Sequence, residues 1–156
     1  MVVYGAGLVV ADRCANAGFV PSELPEARVT LVSAYLPAAG RASAIELAHG
    51  LRAVDLQGLL ADAPGADVVL GPHLDTAALA SRHAVVCRTL GAEGAEAARG
   101  GERARVRPPR IVDGSPVGAG DRFAAGFLLA LADGLALEEC LQRGCASALA
   151  EGTLAG

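Results

Sequence analysis

Ser115-Pro116-Val117-Gly118-Ala119-Gly120-Asp121-Arg122-Phe123-Ala124-Ala125-Gly126-Phe127-Leu128 is the stretch from which this chain is read. A β-branched lead-in, Ile111-Val112, reaches a turn at Asp113-Gly114-Ser115-Pro116, and small residues then open directly into an apolar helix. Gly118, Ala119 and Gly120 carry little or no side chain, so the backbone can approach a ligand closely. The first helical turn leaves N–H groups without intrahelical partners, and with the positive end of the helix dipole they form a pocket for an anion. Asp121 falls in that same turn. A carboxylate beside an anion hole works against simple phosphate binding, because the two negative charges repel. It is useful when it must take a proton from a hydroxyl that attacks the phosphate. Asp121 could otherwise be an ordinary first-turn acid favoured by the dipole; the three small residues before it weigh for the base.

Outward toward the carboxyl end, Phe123, Phe127 and Leu131 recur at helical spacing with Ala124 and Leu128 beside them, and Gly134 supplies the stop. A second helix begins near Leu137, with Leu137, Leu141, Ala148 and Leu149 as its apolar face, and the short connection makes the two helices antiparallel neighbours. Outward toward the amino end, strands and helices alternate. Val29–Leu36 reads as a buried parallel strand, and a helix follows from about Arg41 to Gly50. Short strands are expected at Ala53–Leu56, Asp67–Leu70 and Ala84–Thr89, and a helix start at Thr76–Ala80. Ala95–Ala98 and Ala104–Val106 form a hairpin around Gly100-Gly101. Val2-Val3-Tyr4 and Leu8-Val9-Val10 pair as strands about Gly5-Ala6-Gly7. The sequence Gly5-x-Gly7 lacks the third glycine of a dinucleotide fingerprint, so a hairpin is the better reading. Residues 13–27 read as a loop with at most one helical turn after Ser22. The alternation implies a three-layer α/β/α sandwich around a Rossmann-like parallel sheet.

The 156 residues fit a single domain, and 53% hydrophobic content is enough for a core. A formal charge of −4, with no lysine and scattered arginines, argues against a nucleic-acid partner. The longest apolar run, Phe123–Ala132, is too short to span a bilayer, and no charged segment precedes an apolar one at the amino end. Cys14, Cys87, Cys140 and Cys145 have neither zinc-finger nor C-x-x-C spacing and read as free thiols in a reducing cytoplasm.

Ser115–Leu128 resembles the second signature of the ribokinase-like (PfkB) carbohydrate kinases, through the G-A-G-D core and the A-G-F-L that follows it. Looser correspondences recur in the family's order at Ala15-Asn16-Ala17, Ser33-Ala34-Tyr35-Leu36, Val54-Asp55-Leu56-Gln57-Gly58 and Thr89-Leu90-Gly91-Ala92-Glu93-Gly94. The resemblance implies a ribokinase-like fold truncated on its amino-terminal side: residues 1–156 would be the nucleotide-binding and catalytic part, without the substrate-gripping and lid portion. It implies transfer of a phosphoryl group from ATP, with Mg2+, to an alcohol of a small sugar or polyol. Asp121 would be the base, and Gly118, Ala119 and Gly120 would form the anion hole. Thr89, Gly91 and Gly94 would lie against the nucleotide. Cys145 stands where the family often has an adenine-side Asn, and it reads as readily as a small buried residue. Asn16 would be a substrate contact or simply a loop residue.

Two departures from the family pattern follow. Ser115 replaces an Asp linked to a monovalent cation, and its neutral hydroxyl is a weaker ligand, which puts potassium activation in doubt. Pro72-His73-Leu74-Asp75 replaces the Asn-x-x-Glu motif of the magnesium–phosphate water network, leaving Asp75 to act through water. Asp55, at a strand end where ligands gather, joins Gln57 as a supporting candidate. A non-catalytic nucleotide-binding fragment is the alternative to a kinase. Either way the expected compartment is the cytoplasm, with a homodimer left open.

Overall fold

The computed structural model describes residues 2–4, 8–11, 20–109 and 118–149. Eight strands lie side by side in chain order: β1 (Val2–Tyr4), β2 (Leu8–Ala11), β3 (Val29–Ser33), β4 (Leu51–Asp55), β5 (Val68–Pro72), β6 (Val85–Thr89), β7 (Ala95–Arg99) and β8 (Glu102–Val106). β2 to β6 are parallel, while β1 and the β7–β8 hairpin add antiparallel strands at the two ends. The sheet is therefore mixed, as the two expected hairpins require; Gly100-Gly101 and the short β6–β7 link leave no room for a crossover.

Right-handed crossovers between parallel strands that advance in one direction must all lie on one face of the sheet. That face carries α1 (Ala38–Leu47) and the single-turn α2 (Thr76–Leu79), packed with Val32, Val54, Val69 and Val86. The chain reaches the opposite face only after β8. There α3 (Ala119–Ala132) and α4 (Leu137–Leu149) bury Phe123, Phe127, Leu128, Leu137 and Leu141 against Leu31, Ala53, Leu70 and Cys87. Successive residues of one strand thus enter opposite cores, as Val68, Val69 and Leu70 do, and both faces of the sheet are buried over β3 to β6. The result is a three-layer α/β/α sandwich.

Local chemistry moved some boundaries. β3 stops at Ser33 rather than Leu36, because the Ser33 hydroxyl accepts the Tyr35 N–H at 3.2 Å and draws the chain into a turn. α1 starts at Ala38, three residues before the expected Arg41, since Pro37 sits at the N-cap with φ already at −54°. It ends at Leu47, before Gly50. Gly50 belongs to the entry into β4: a Cβ there would lie 2.2 Å from the Arg28 carbonyl oxygen, which accepts the Leu51 N–H. Residues 20–28 contain no helical turn. Gly134, with φ 76°, closes α3 as expected.

The β4–β5 connection is tied down by His83, whose ring is buried. Its Nδ1 is 2.8 Å from the Ala66 carbonyl oxygen and its Nε2 is 2.6 Å from Asp62 Oδ1. The His83 bond is the largest influence holding the Asp62 carboxyl below the usual carboxylate range.

Candidate active site at the carboxyl edge of the sheet

Because β3 to β6 run parallel, Ser33, Asp55, Pro72 and Thr89 all finish at the same edge of the sheet. Gly118 begins α3 in the left-handed conformation (φ 75°, ψ 2°), which a side chain would resist, and no side chain caps it. The first helical bond runs from the Arg122 N–H to the Gly118 carbonyl, so the amides before it belong to the open turn of the helix. A Cβ placed on Gly120 would meet nothing within 4 Å, and Asp121 is exposed in this turn. The backbone of Gly118–Gly120 and the Asp121 carboxylate are thus presented together at the amino end of a 14-residue helix.

Asp55 is the neighbour that matters most. It is only 6% exposed, and its carboxylate accepts the Gln57 N–H at 3.0 Å and Gln57 Nε2 at 2.6 Å. Burial raises its carboxyl to about 6; the backbone bond from Gln57 opposes the shift, and the negative charge of Asp121 adds to it. The two carboxylates therefore feel each other across the gap between β4 and α3. Gly71 keeps this corner open, since a Cβ there would stand 3.2 Å from both Asp55 Oδ1 and the Gln57 nitrogen. Sequence reasoning ranked Asp55 low and passed over Gly71. The signal available was a carboxylate at the end of a strand and a glycine one strand across.

The remaining candidates are placed as follows. Thr89 is half-buried at the end of β6, in register with Pro72 on one side and Ala95 on the other. Gly91 starts a single 3-10 turn (Gly91–Glu93) at φ 58°, with open space where a Cβ would be. Gly94 has a reason within the fold: a Cβ would come within 1.9 Å of the Val106 carbonyl oxygen. Cys145 is on the buried face of α4, and burial pushes its thiol up, as it does for Cys87 and Cys140; all three are free. Asp75 is the N-cap of α2, accepting the Ala78 N–H at 3.0 Å. Asn16, Ser115 and the Gly5-x-Gly7 turn lie outside the described residues. Among the described residues no three His, Cys, Asp or Glu side chains gather as a metal site, and no helix is long and apolar enough to cross a membrane.

A sequentially ordered sheet between helical layers, with a glycine-opened helix pointing its amino end at the carboxyl edge, defines the ribokinase-like class of α/β proteins. Comparison with known proteins agrees. The chain superposes on adenosine kinase from Sinorhizobium meliloti with a TM-score of 0.70 at 26% identity, over 86% of this chain and 53% of that one. For a probable sugar kinase from Rhizobium etli the values are 0.68, 25%, 79% and 48%. The archaeal nucleoside kinase of Methanocaldococcus jannaschii, at 18% identity, shares the fold with a TM-score of 0.71 over 86% of this chain and 53% of that one. In sequence, 79 residues are 39% identical to a 1-phosphofructokinase of Xanthomonas campestris pv. campestris, covering 46% of this chain and 24% of that protein. The chain therefore spans about half the length of these solved relatives and about a quarter of the curated one. Residues 8–151 match the model of the pfkB family carbohydrate kinases, and the chain belongs to that family.

Proposed function

We propose that this chain supplies the nucleotide and catalytic part of an ATP-dependent kinase acting on an alcohol of a sugar or related polyol. The observation that carries the reading is the presentation of Asp121 in the first turn of a glycine-opened helix, beside the buried carboxylate of Asp55. Asp121 takes the proton of the acceptor hydroxyl as its oxygen bonds to the γ-phosphorus. The bond from that phosphorus to the bridging oxygen breaks, and ADP leaves with the electron pair. The amides of Gly118–Gly120 and the α3 dipole receive the charge on the transferring oxygens. The negative charge of Asp121 adds to the rise of the Asp55 carboxyl, so the two groups are electrostatically coupled where the proton is to be transferred.

Thr89, Gly91, Gly94 and, from below, Cys145 are the candidates for the nucleotide wall. Magnesium enters this reading as the nucleotide's companion, held chiefly by phosphate oxygens and water. Asp75 reaches it only through water, and its N-cap bond competes with that role. Asn16 stays proposed as a substrate contact and Ser115 as a weakened monovalent-cation position.

The test is transfer of label from γ-labelled ATP to a panel of sugars, nucleosides and polyols. Asp121→Asn should lower turnover by about 10²–10⁴-fold while nucleotide affinity holds; equal loss in both would remove the base assignment. A second reading, nucleotide binding without turnover, is favoured by Pro72, which offers no side-chain amide, and by the N-cap bond that engages Asp75. Calorimetry with ATP separates the two: heat of binding without any labelled product selects the second, and labelled product excludes it.

A further inference from the structure

The β7–β8 hairpin extends past α2, and on that side the sheet carries charge where β3 to β6 carry core. Glu96 is in register with Arg88 of β6 and Arg105 of β8, and the next row places Ala98 beside Arg103. Between these rows lies a hollow of about 270 Å³, lined by Thr76, Glu96, Ala98, Arg103 and Arg105 with the backbone around them. Alanines and the two arginines share its lining with Thr76 and Glu96. The hollow lies below the usual range for drug-sized ligands and suits a compact metabolite better than a nucleotide.

The charges in the hollow are unevenly satisfied. Glu96 is taken by Arg88 at 2.8 Å. Arg105 reaches Glu93 only at 3.8 Å and Glu96 at 4.0 Å. Arg103 makes no ion pair among the described residues, and Arg88 Nε is buried without a hydrogen-bond partner. Arg107, at 3.7 Å from Glu93, adds a fourth cation nearby. Four arginines therefore face two glutamates on a chain whose overall charge is −4. Arg103 and Arg105, two residues apart on one strand, stand roughly 7 Å apart on the same face, a spacing at which two planar forks can close on one multivalent anion.

We infer that the β7–β8 hollow is a second ligand site, separate from the α3 amino end, that binds a small dianion or trianion through Arg103 and Arg105, with the Thr76 hydroxyl at its rim. The shared chemistry is a compact phosphoryl or carboxylate group of a metabolite. The site is independent of the proposed kinase chemistry, which uses the opposite layer of helices.

The experiment is an amide-resolved NMR titration of the chain with inorganic phosphate in one arm and citrate in the other. A saturating response at Ala97–Ala98 and Arg103–Arg105 in either arm is the expected result, and the arm that responds assigns the phosphoryl or the carboxylate class. Arg103→Ala/Arg105→Ala should weaken that binding at least tenfold. Both side chains are exposed, so an unchanged circular dichroism spectrum and melting curve would show that the fold is intact. Arg103→Lys/Arg105→Lys keeps the charge and loses the forks, and should bind several-fold more weakly than the parent. A response confined to the start of α3, undiminished binding by the alanine pair, or full binding by the lysine pair would each overturn the inference.

Discussion

At the carboxyl ends of β4 and β5 the backbone is bent against its own preferences. Gln57 (φ 52°) and His73 (φ 59°) are the two non-glycine residues with left-handed φ among those described, and both lie there, around a buried carboxylate. On the far side of the sheet, the α3–α4 pair shows the opposite character. Its helices are regular, and the glycines where they meet answer to crowding. A Cβ on Gly126 would fall 2.2 Å from Ser147 Oγ, and one on Gly144 would fall 2.7 Å from the Phe123 ring. Phe123 and Phe127 stack with centroids 5.8 Å apart just below. One region keeps conformational and electrostatic strain beside the proposed base; the other, beyond the opening turn of α3, spends its small residues on close packing. Removing the buried charge from the first should therefore relax the fold, and adding volume to the second should damage it.

The largest expected effect is at Asp55. With a folded value of about 6 against an ordinary 3.8, the folded state holds a proton that the unfolded chain has already released. Stability is then independent of this group below about 3.8, falls as pH rises from there to about 6, and stays lowered above. The shift corresponds to roughly 3 kcal/mol. Asp55→Asn removes the buried charge while keeping an oxygen for the Gln57 N–H. It should raise stability at pH 8 by up to that amount and flatten the profile between pH 4 and 6, measured by urea unfolding across pH. A parent profile that rises over this interval would mean that the strain at this edge is not electrostatic.

Next in size is Gly144→Ala in the packed pair. Forcing a methyl against the Phe123 ring should cost about 1–3 kcal/mol. Phe123→Leu, which withdraws the ring, should recover part of that loss, so the double variant is more stable than the sum of the single effects predicts. Strict additivity in denaturant midpoints would show that the helices separate rather than jam. Neither change should alter the pH dependence that belongs to Asp55.

Much of this contrast could be read in advance, and the unread part has physical causes. The α3–α4 pair was legible because its signal is local: Phe123, Phe127 and Leu131 at helical spacing, closed by Gly134. The small-residue opening of α3 and most of the strand positions followed from the same kind of local pattern; the order of the strands across the sheet came only from the structure. The pairing of Asp55 with Asp121 was not legible, because it joins residues 66 positions apart through the way α3 lies on the sheet. Gly94 was read as making room for a nucleotide, whereas its closest neighbour is the backbone of β8, a contact that only the hairpin reveals. The arginine-lined hollow escaped notice for a related reason. Arg103-x-Arg105 looks like a solvated edge until the sheet sets it beside Glu96 and Thr76 around a hollow.

The smallest expected effect isolates strain from charge. His73 is exposed, so substitutions there remove little packing, and its left-handed φ is the feature that varies. Gly58, itself at φ 66°, turns toward it: a Cβ on Gly58 would be 3.9 Å from His73 Cδ2 and 3.8 Å from Pro72 Cγ. Asn tolerates the left-handed region, so His73→Asn should be neutral, whereas β-branched His73→Val should lose about 1 kcal/mol. The measurement is the urea midpoint at pH 4, where the Asp55 carboxyl is largely protonated in the folded state and its charge contributes little. If Val and Asn prove equally stable, the bend after β5 carries no strain of its own. The difference between the two regions would then reduce to one buried carboxylate.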